Sequence, residues 1–118
     1  MGGKRAMVVV TSGGWWEHYS PRGIKGAIDD LLFPINHGIL FYPGFTVLPP
    51  FVAYRVDRLD DRAFATVAAA LRTRMQALGT IAPIAYRRQN DGDYRIPAME
   101  LKPGLEKPGA TGFALHLD

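Results

Sequence analysis

The sequence predicts an α/β fold in which helices flank a parallel sheet. Val8, Val9 and Val10 close an unbroken apolar run that begins at Ala6. A β-branched run without polar alternation marks a strand covered on both faces, as parallel strands are. A second strand-like run, Phe45-Thr46-Val47-Leu48, follows a stretch of helical spacing, and a capped amphipathic helix follows that. The resulting order is β-α-β-α.

The first strand ends at Thr11-Ser12-Gly13-Gly14 and is expected to be central rather than at an edge. Ligands of open α/β sheets gather at the carboxyl ends of the strands, so this bend is the first place to look for a site. Ser20-Pro21 reads as a helix start, since Ser can cap free N–H groups and Pro at the first helical position loses nothing by lacking its own. That helix is expected from about Pro21 to Leu32, with Ile24, Ile28, Leu31 and Leu32 as its buried stripe. Pro34 should kink or restart it, and Ile35, Ile39 and Leu40 continue an apolar surface to Pro43-Gly44.

Pro49-Pro50 should stop the second strand, with Phe51-Val52-Ala53-Tyr54 extending it beyond the break. Asp60 or Asp61 then caps a helix through about Leu78, with Phe64, Val67, Ala68, Leu71 and Met75 on its apolar face and Gly79 as its stop. From Ile81 the pattern becomes extended and rich in Pro and Gly. The chain divides accordingly into an α/β part over residues 1–80 and a tail over 81–118, expected to lie on that part or on a partner subunit.

With 118 residues, one hydrophobic core is the ceiling, and 47% apolar against 21% charged residues describes a globular chain. A net charge of +3 supports no more than a weak preference for anionic small molecules. No aromatic-basic platform for nucleic acid accompanies it. Cysteine is absent, which excludes disulfides and thiolate metal sites. His18, His37 and His116 stand far apart in sequence and read as solvated or capping residues, with no metal site among them. Arg72, Arg74, Arg87 and Arg88 read as solvent-facing. The apolar stretch at Ala6 is too short for a signal peptide or a membrane span, so the expected compartment is the cytoplasm. Two such strands with so few helices leave apolar faces and sheet edges bare, so the chain is expected to be part of a larger fold.

The sequence Val8-Val9-Val10-Thr11-Ser12-Gly13-Gly14, then Tyr19-Ser20, Gly23-Ile24-Lys25-Gly26, Phe33-Pro34-Ile35, Gly38-Ile39-Leu40 and Gly44-Phe45, resembles the NAD(P)H:quinone oxidoreductases typified by DT-diaphorase and their bacterial relatives. The tail, at Tyr94-Arg95-Ile96-Pro97-Ala98 and Gly112-Phe113-Ala114-Leu115-His116, is similar to bacterial members. The resemblance covers the C-terminal half of that family. It implies a flavodoxin-like homodimer that binds FAD or FMN, takes electrons from NAD(P)H and reduces a quinone. It implies that Thr11, Ser12, Gly13 and Gly14 face the isoalloxazine ring, that Tyr19 points its hydroxyl at the pyrimidine side, and that Tyr42 lies against the partner subunit's substrate pocket. Donors there would stabilise negative charge developing on the ring.

Two departures stand out. Lys25 occupies the position where DT-diaphorase has a histidine acting with the tyrosine, which suggests a fixed cation in place of a proton relay. The loop that holds the flavin phosphate in the family has no counterpart in this sequence, so the chain is expected to be inactive alone. Related bacterial proteins of this fold regulate potassium-efflux transporters, and such an ancillary role, with a membrane reached only through the transporter, is the alternative expectation.

Overall fold

The computed structural model describes residues 2–118. Two short strands, β1 (Arg5–Ala6) and β2 (Val9–Thr11), are parts of one N-terminal strand. Each pairs in parallel with part of the second, β1 with β3 (Thr46–Val47) and β2 with β4 (Phe51–Ala53). The break has a cause in the sequence. Leu48 N–H donates to Ala6 O at 2.8 Å, and the next parallel rung calls for an N–H from residue 50. Pro50 has none, so Phe51 N–H makes the rung to Val8 O at 3.0 Å. The register slips by one residue between Arg5↔Thr46 and Val9↔Phe51, as a bulge does.

Within these residues the N-terminal strand is bonded on one side only, and Val9 is 50% exposed. This differs from the central, doubly covered strand that its valines predict. The far edge of β3 takes a different neighbour, because Ile84 N–H donates to Val47 O at 2.8 Å. Val47 and Leu48, both fully enclosed, form the core with Leu32 and Ala53.

Ser20-Pro21 does not start a helix. The Ser20 hydroxyl donates backwards to Glu17 O at 2.9 Å, closing a 3-10 turn over Trp16–Tyr19. The chain then folds through further turns, with Gly26 at φ +79, and Ile24 is left 89% exposed instead of joining a buried stripe. Helix α1 runs over Ile28–Phe33 and continues without a break into a π-helical segment, Pro34–Phe41. Pro34 cannot donate into an α ladder, and the hydrogen-bond pitch widens at that residue. The wide pitch persists to the end of the segment, where Tyr42 N–H donates to His37 O at 2.9 Å and Phe45 N–H to Leu40 O at 3.1 Å. The segment packs on β3 and buries Asn36.

Helix α2 (Asp61–Gln76) starts as its sequence predicts: Ala63 N–H donates to Asp60 Oδ1 at 2.7 Å. It packs on β4, and Arg74 donates to Pro49 O at 2.9 Å. Arg5 in β1 donates to Leu78 O and Ile81 O just beyond the helix. Phe64 and Met75, expected on the buried face, remain exposed.

The tail forms a small antiparallel pair, β5 (Tyr94–Arg95) with β6 (Glu100–Leu101), and a 3-10 turn over Gly112–His116. Arg87 is its hub. The sequence places Arg87 in solvent, yet it is 6% exposed and donates to Leu115 O, Leu105 O and the Asp93 carboxylate. A guanidinium carries five donors, so one buried side chain can tie three tail segments together. The radius of gyration, 16.4 Å, exceeds the roughly 13–14 Å of a compact domain of this length. Exposed Val9, Phe64 and Met75 agree with that looseness. Among the described residues no helix is long and apolar enough to cross a membrane.

Candidate functional site

β2 ends at Thr11, paired with Ala53, and the backbone clamps the bend that follows. Ser12 N–H donates to Ala53 O at 2.8 Å, Val56 N–H to Ser12 O at 3.1 Å, and Arg55 N–H to Gly14 O at 3.1 Å. The bend is thereby fixed at the carboxyl ends of both strands, where an open α/β sheet presents its ligand crevice. Arg55 adopts φ 53 to make these bonds, and its guanidinium lies 3.7 Å from the centre of the Trp15 ring.

Inside the bend, Gly14 N–H donates to Ser12 Oγ at 3.1 Å and the Ser12 hydroxyl donates to Tyr19 Oη at 2.9 Å. Ser12 has one hydrogen and gives it to Tyr19, so the phenol keeps its own hydrogen for another acceptor. Gly14 permits the arrangement: a Cβ there would stand 3.1 Å from Tyr19 Cε2 and 3.2 Å from His18 Nδ1. A Cβ on Gly13 would make only ordinary contact with the Asp57 carboxylate, so nothing in this chain's own packing requires glycine at that position. Gly13 N–H has no hydrogen-bond partner among the described residues.

Tyr19 is carried by the 3-10 turn, and Gly23 locks that turn in place. A Cβ at Gly23 would fall 2.2 Å from Glu17 O and 2.3 Å from His18 O, a clash that no rearrangement of side chains relieves. Lys25 N–H donates to His18 O at 2.8 Å, which ties residue 25 to the same turn. The Lys25 side chain is exposed and makes no hydrogen bond or ion pair among the described residues. Its ammonium is therefore not linked to the Tyr19 hydroxyl, whose partner is Ser12.

Thr11, Ser12, Gly13, Gly14 and Tyr19 thus come together, with Lys25 joined through the backbone. Tyr42 does not. It lines an open cleft of about 660 Å³ with Phe41, Pro43, Tyr86 and Arg88, and no residue from Thr11 to Lys25 borders that cleft. Tyr54 is the residue that sequence reasoning missed. Its ring lies 5.8 Å from that of Tyr19, and burial above all, with Asp29 and Tyr19 adding to it, raises the Tyr54 phenol above its ordinary pKa. The signal was available: Tyr54 follows the last residue of β4, and adjacent parallel strands bring their carboxyl ends side by side.

His37 and His116, far apart in sequence, meet with ring centroids 5.7 Å apart. Among the described residues no group of three or more His, Cys, Asp or Glu side chains is placed to hold a metal ion. The bend offers two free donors, Gly13 N–H and Tyr19 O–H, beside the paired rings of Tyr19 and Tyr54. Such a donor set fits the electron-rich edge of a planar heteroaromatic ring.

Comparison with known proteins agrees with this architecture. A family profile described as the flavodoxin-like fold matches residues 1–77. A ribosyldihydronicotinamide dehydrogenase-like protein of Penicillium crustosum is 58% identical over 114 residues, covering 97% of this chain and 42% of that protein. The human ribosyldihydronicotinamide dehydrogenase [quinone] is 33% identical over 82 residues, covering 70% of this chain and 36% of that protein. A crystal structure of a Klebsiella pneumoniae protein designated a candidate quinone reductase superposes with a TM-score of 0.93 at 59% identity, covering 99% of this chain and 45% of that one. The chain spans less than half the length of each of these relatives.

Proposed function

The chain belongs to the flavodoxin-like fold family, and from that premise we propose that it is the ring-contacting part of a flavin-dependent NAD(P)H:quinone oxidoreductase. The observation that carries this reading is the chain of hydrogen bonds from Gly14 N–H through Ser12 Oγ to Tyr19 Oη at the carboxyl end of a parallel strand. It leaves a phenolic hydrogen and the Gly13 N–H free for a ligand. The names of the relatives, quinone dehydrogenases and a candidate quinone reductase, support the same reading.

A bound flavin, FAD or FMN, would supply two-electron hydride transfer from NAD(P)H to a quinone. The contribution of this chain is to hold the ring and meet its changing charge. Thr11 to Gly14 bring main chain against the ring, closest at the glycines. Tyr19, oriented by Ser12, donates to the ring edge where negative charge accumulates. The Lys25 ammonium acts from the adjoining turn as a fixed cation favouring that charge. The phosphate-holding loop has no match among these 118 residues, so the reading places it outside this chain and makes the chain inactive alone. In the assembled cytoplasmic protein a second subunit covers the apolar stripe near Tyr42, and Tyr42 faces that subunit's substrate.

The test is a chimera in which residues 1–118 replace their counterpart in the Klebsiella pneumoniae relative. Flavin content and NAD(P)H oxidation with a soluble quinone are measured. Stoichiometric flavin, with quinone reduction that falls in Tyr19→Phe, supports the reading. A folded chimera without flavin, or one indifferent to Tyr19, contradicts it.

A further inference from the structure

The ring cluster that joins the tail to the body stands apart from the bend. His37, on the π-helical segment, stacks on Phe33 at 4.6 Å between centroids and meets Phe41 at 5.2 Å and Tyr86 edge-on at 4.9 Å. From the tail, Phe113 stacks on the same Phe33 at 4.2 Å, and His116 comes within 5.7 Å of both Phe33 and His37. His116 Nδ1 is hydrogen-bonded to Tyr94 Oη at 2.8 Å. His37 Nε2 is enclosed without a hydrogen-bond partner. Beside the rings, Arg87 N–H donates to His116 O at 2.9 Å and Asp118 N–H to Ala85 O at 2.7 Å, while Tyr86 bridges to Leu117.

Two imidazoles from two segments therefore face one another inside an aromatic shell. Neutral, they pack as aromatic rings. Charged, both are penalised: His37 has no acceptor within reach of Nε2, and the buried Arg87 guanidinium already places a positive charge near His116, whose Nδ1 has only the Tyr94 hydroxyl as partner. Two of the carboxylates near the cluster are drawn to Arg87. Asp93 and Asp118 lie 3.3 and 3.8 Å from Arg87, and Asp29, on α1, acts on Tyr86. Tyr86 and Tyr94 complete the set of titratable groups.

We propose that His37 and His116 form a proton-controlled latch, so that acidification to one or two imidazolium ions frees the segment 112–118 from Phe33 and the π-helical segment. Both imidazoles lie below the ordinary histidine pKa, each chiefly through burial, His37 further through His116 and His116 further through Arg87. The sign follows. Above pH 6.5, the ordinary value, both are neutral whether docked or free, and docking is unimpaired. As pH falls below 6.5 the free segment takes up protons before the docked one does, so docking weakens until the docked pKa values are passed. Tyr86 lines the cleft that holds Tyr42 and also a second, apolar cleft of about 360 Å³ with Phe33 and Phe113. Release of the segment uncovers the second cleft, which Phe113, Ala114 and Leu117 line.

The test uses the 118-residue chain, with amide hydrogen exchange at Arg87 and Asp118 corrected for intrinsic rates between pH 7.5 and pH 5. Protection at both amides should fall by at least about threefold on acidification, while amides of the parallel ladder, such as Ser12, change less. In His37→Phe with His116→Gln the pH dependence should flatten. Imidazole ¹³C resonances give an independent reading, with both midpoints expected below the ordinary histidine value of 6.5. Unchanged protection at pH 5, amides already unprotected at pH 7.5, an undiminished pH dependence in the double variant, or imidazole midpoints at or above the ordinary 6.5 would each overturn the proposal.

Discussion

Ser12 accepts from Gly14 N–H and donates to Tyr19 Oη, so Ser12→Ala removes both bonds at once. A half-buried pair of this kind should cost about 1–2 kcal/mol, read as a lowered urea midpoint, and Ser12→Thr should retain most of the wild-type value. Lys25→Met should leave stability unchanged, since its ammonium has no partner among the described residues. In the flavin-loaded chimera it should lower the flavin midpoint potential, because a cation favours the reduced ring; no downward shift would remove Lys25 from the account. The bend at Thr11–Gly14 was legible because glycines and small hydroxyls after a valine run mark a turn at the strand's carboxyl end. The role of Ser12 toward Tyr19 was not, since the two meet only through a 3-10 turn whose tightness depends on Gly23. Arg87 was misread for a related reason: its partners lie 6, 18 and 28 residues away, beyond any local pattern.

Among the elements, α2 is the one whose start could be read residue by residue, because capping is local chemistry. Asp60→Ala should destabilise it by about 1 kcal/mol, and Asp60→Asn by less; equal loss in both would mean the carboxylate acts through charge instead of the bond to Ala63 N–H. The helix expected from Pro21 failed because Ser20 turned its hydroxyl back to Glu17. The parallel pairing of the two strands was legible in their apolar runs, whereas the bulge opposite Pro50 needed knowledge of which N–H was missing from the ladder. The π pitch after Pro34 was equally hidden, since a kink, a restart and a widened helix all satisfy a proline at that position.

At the scale of the molecule, the apolar side chains left in solvent follow a pattern. Leu31, Ile35, Ile39 and Tyr42 are all exposed along α1 and its π-helical continuation, a stripe that the proposed function assigns to contact with a second copy of the assembled protein. Ile39→Asp in the chimera should shift sedimentation from dimer toward monomer; an unchanged dimer would place the interface elsewhere. The β-α-β-α order was readable because it follows from periodicity. The placement of the first strand was not readable in the same way: its valines ask for cover on both faces, and Val9 at the surface is where that expectation and the structure part.

The central claim concerns ring contact at the bend, and it can be separated from phosphate binding by using riboflavin, which has the ring and no phosphate. The most direct measurement is a ¹⁵N chemical-shift titration of the 118-residue chain with riboflavin. The account predicts that the Gly13 and Gly14 amides move first and that their shifts shrink in Tyr19→Phe. Shifts clustered at another surface, with Gly13 and Gly14 unmoved at saturating ligand, would contradict it.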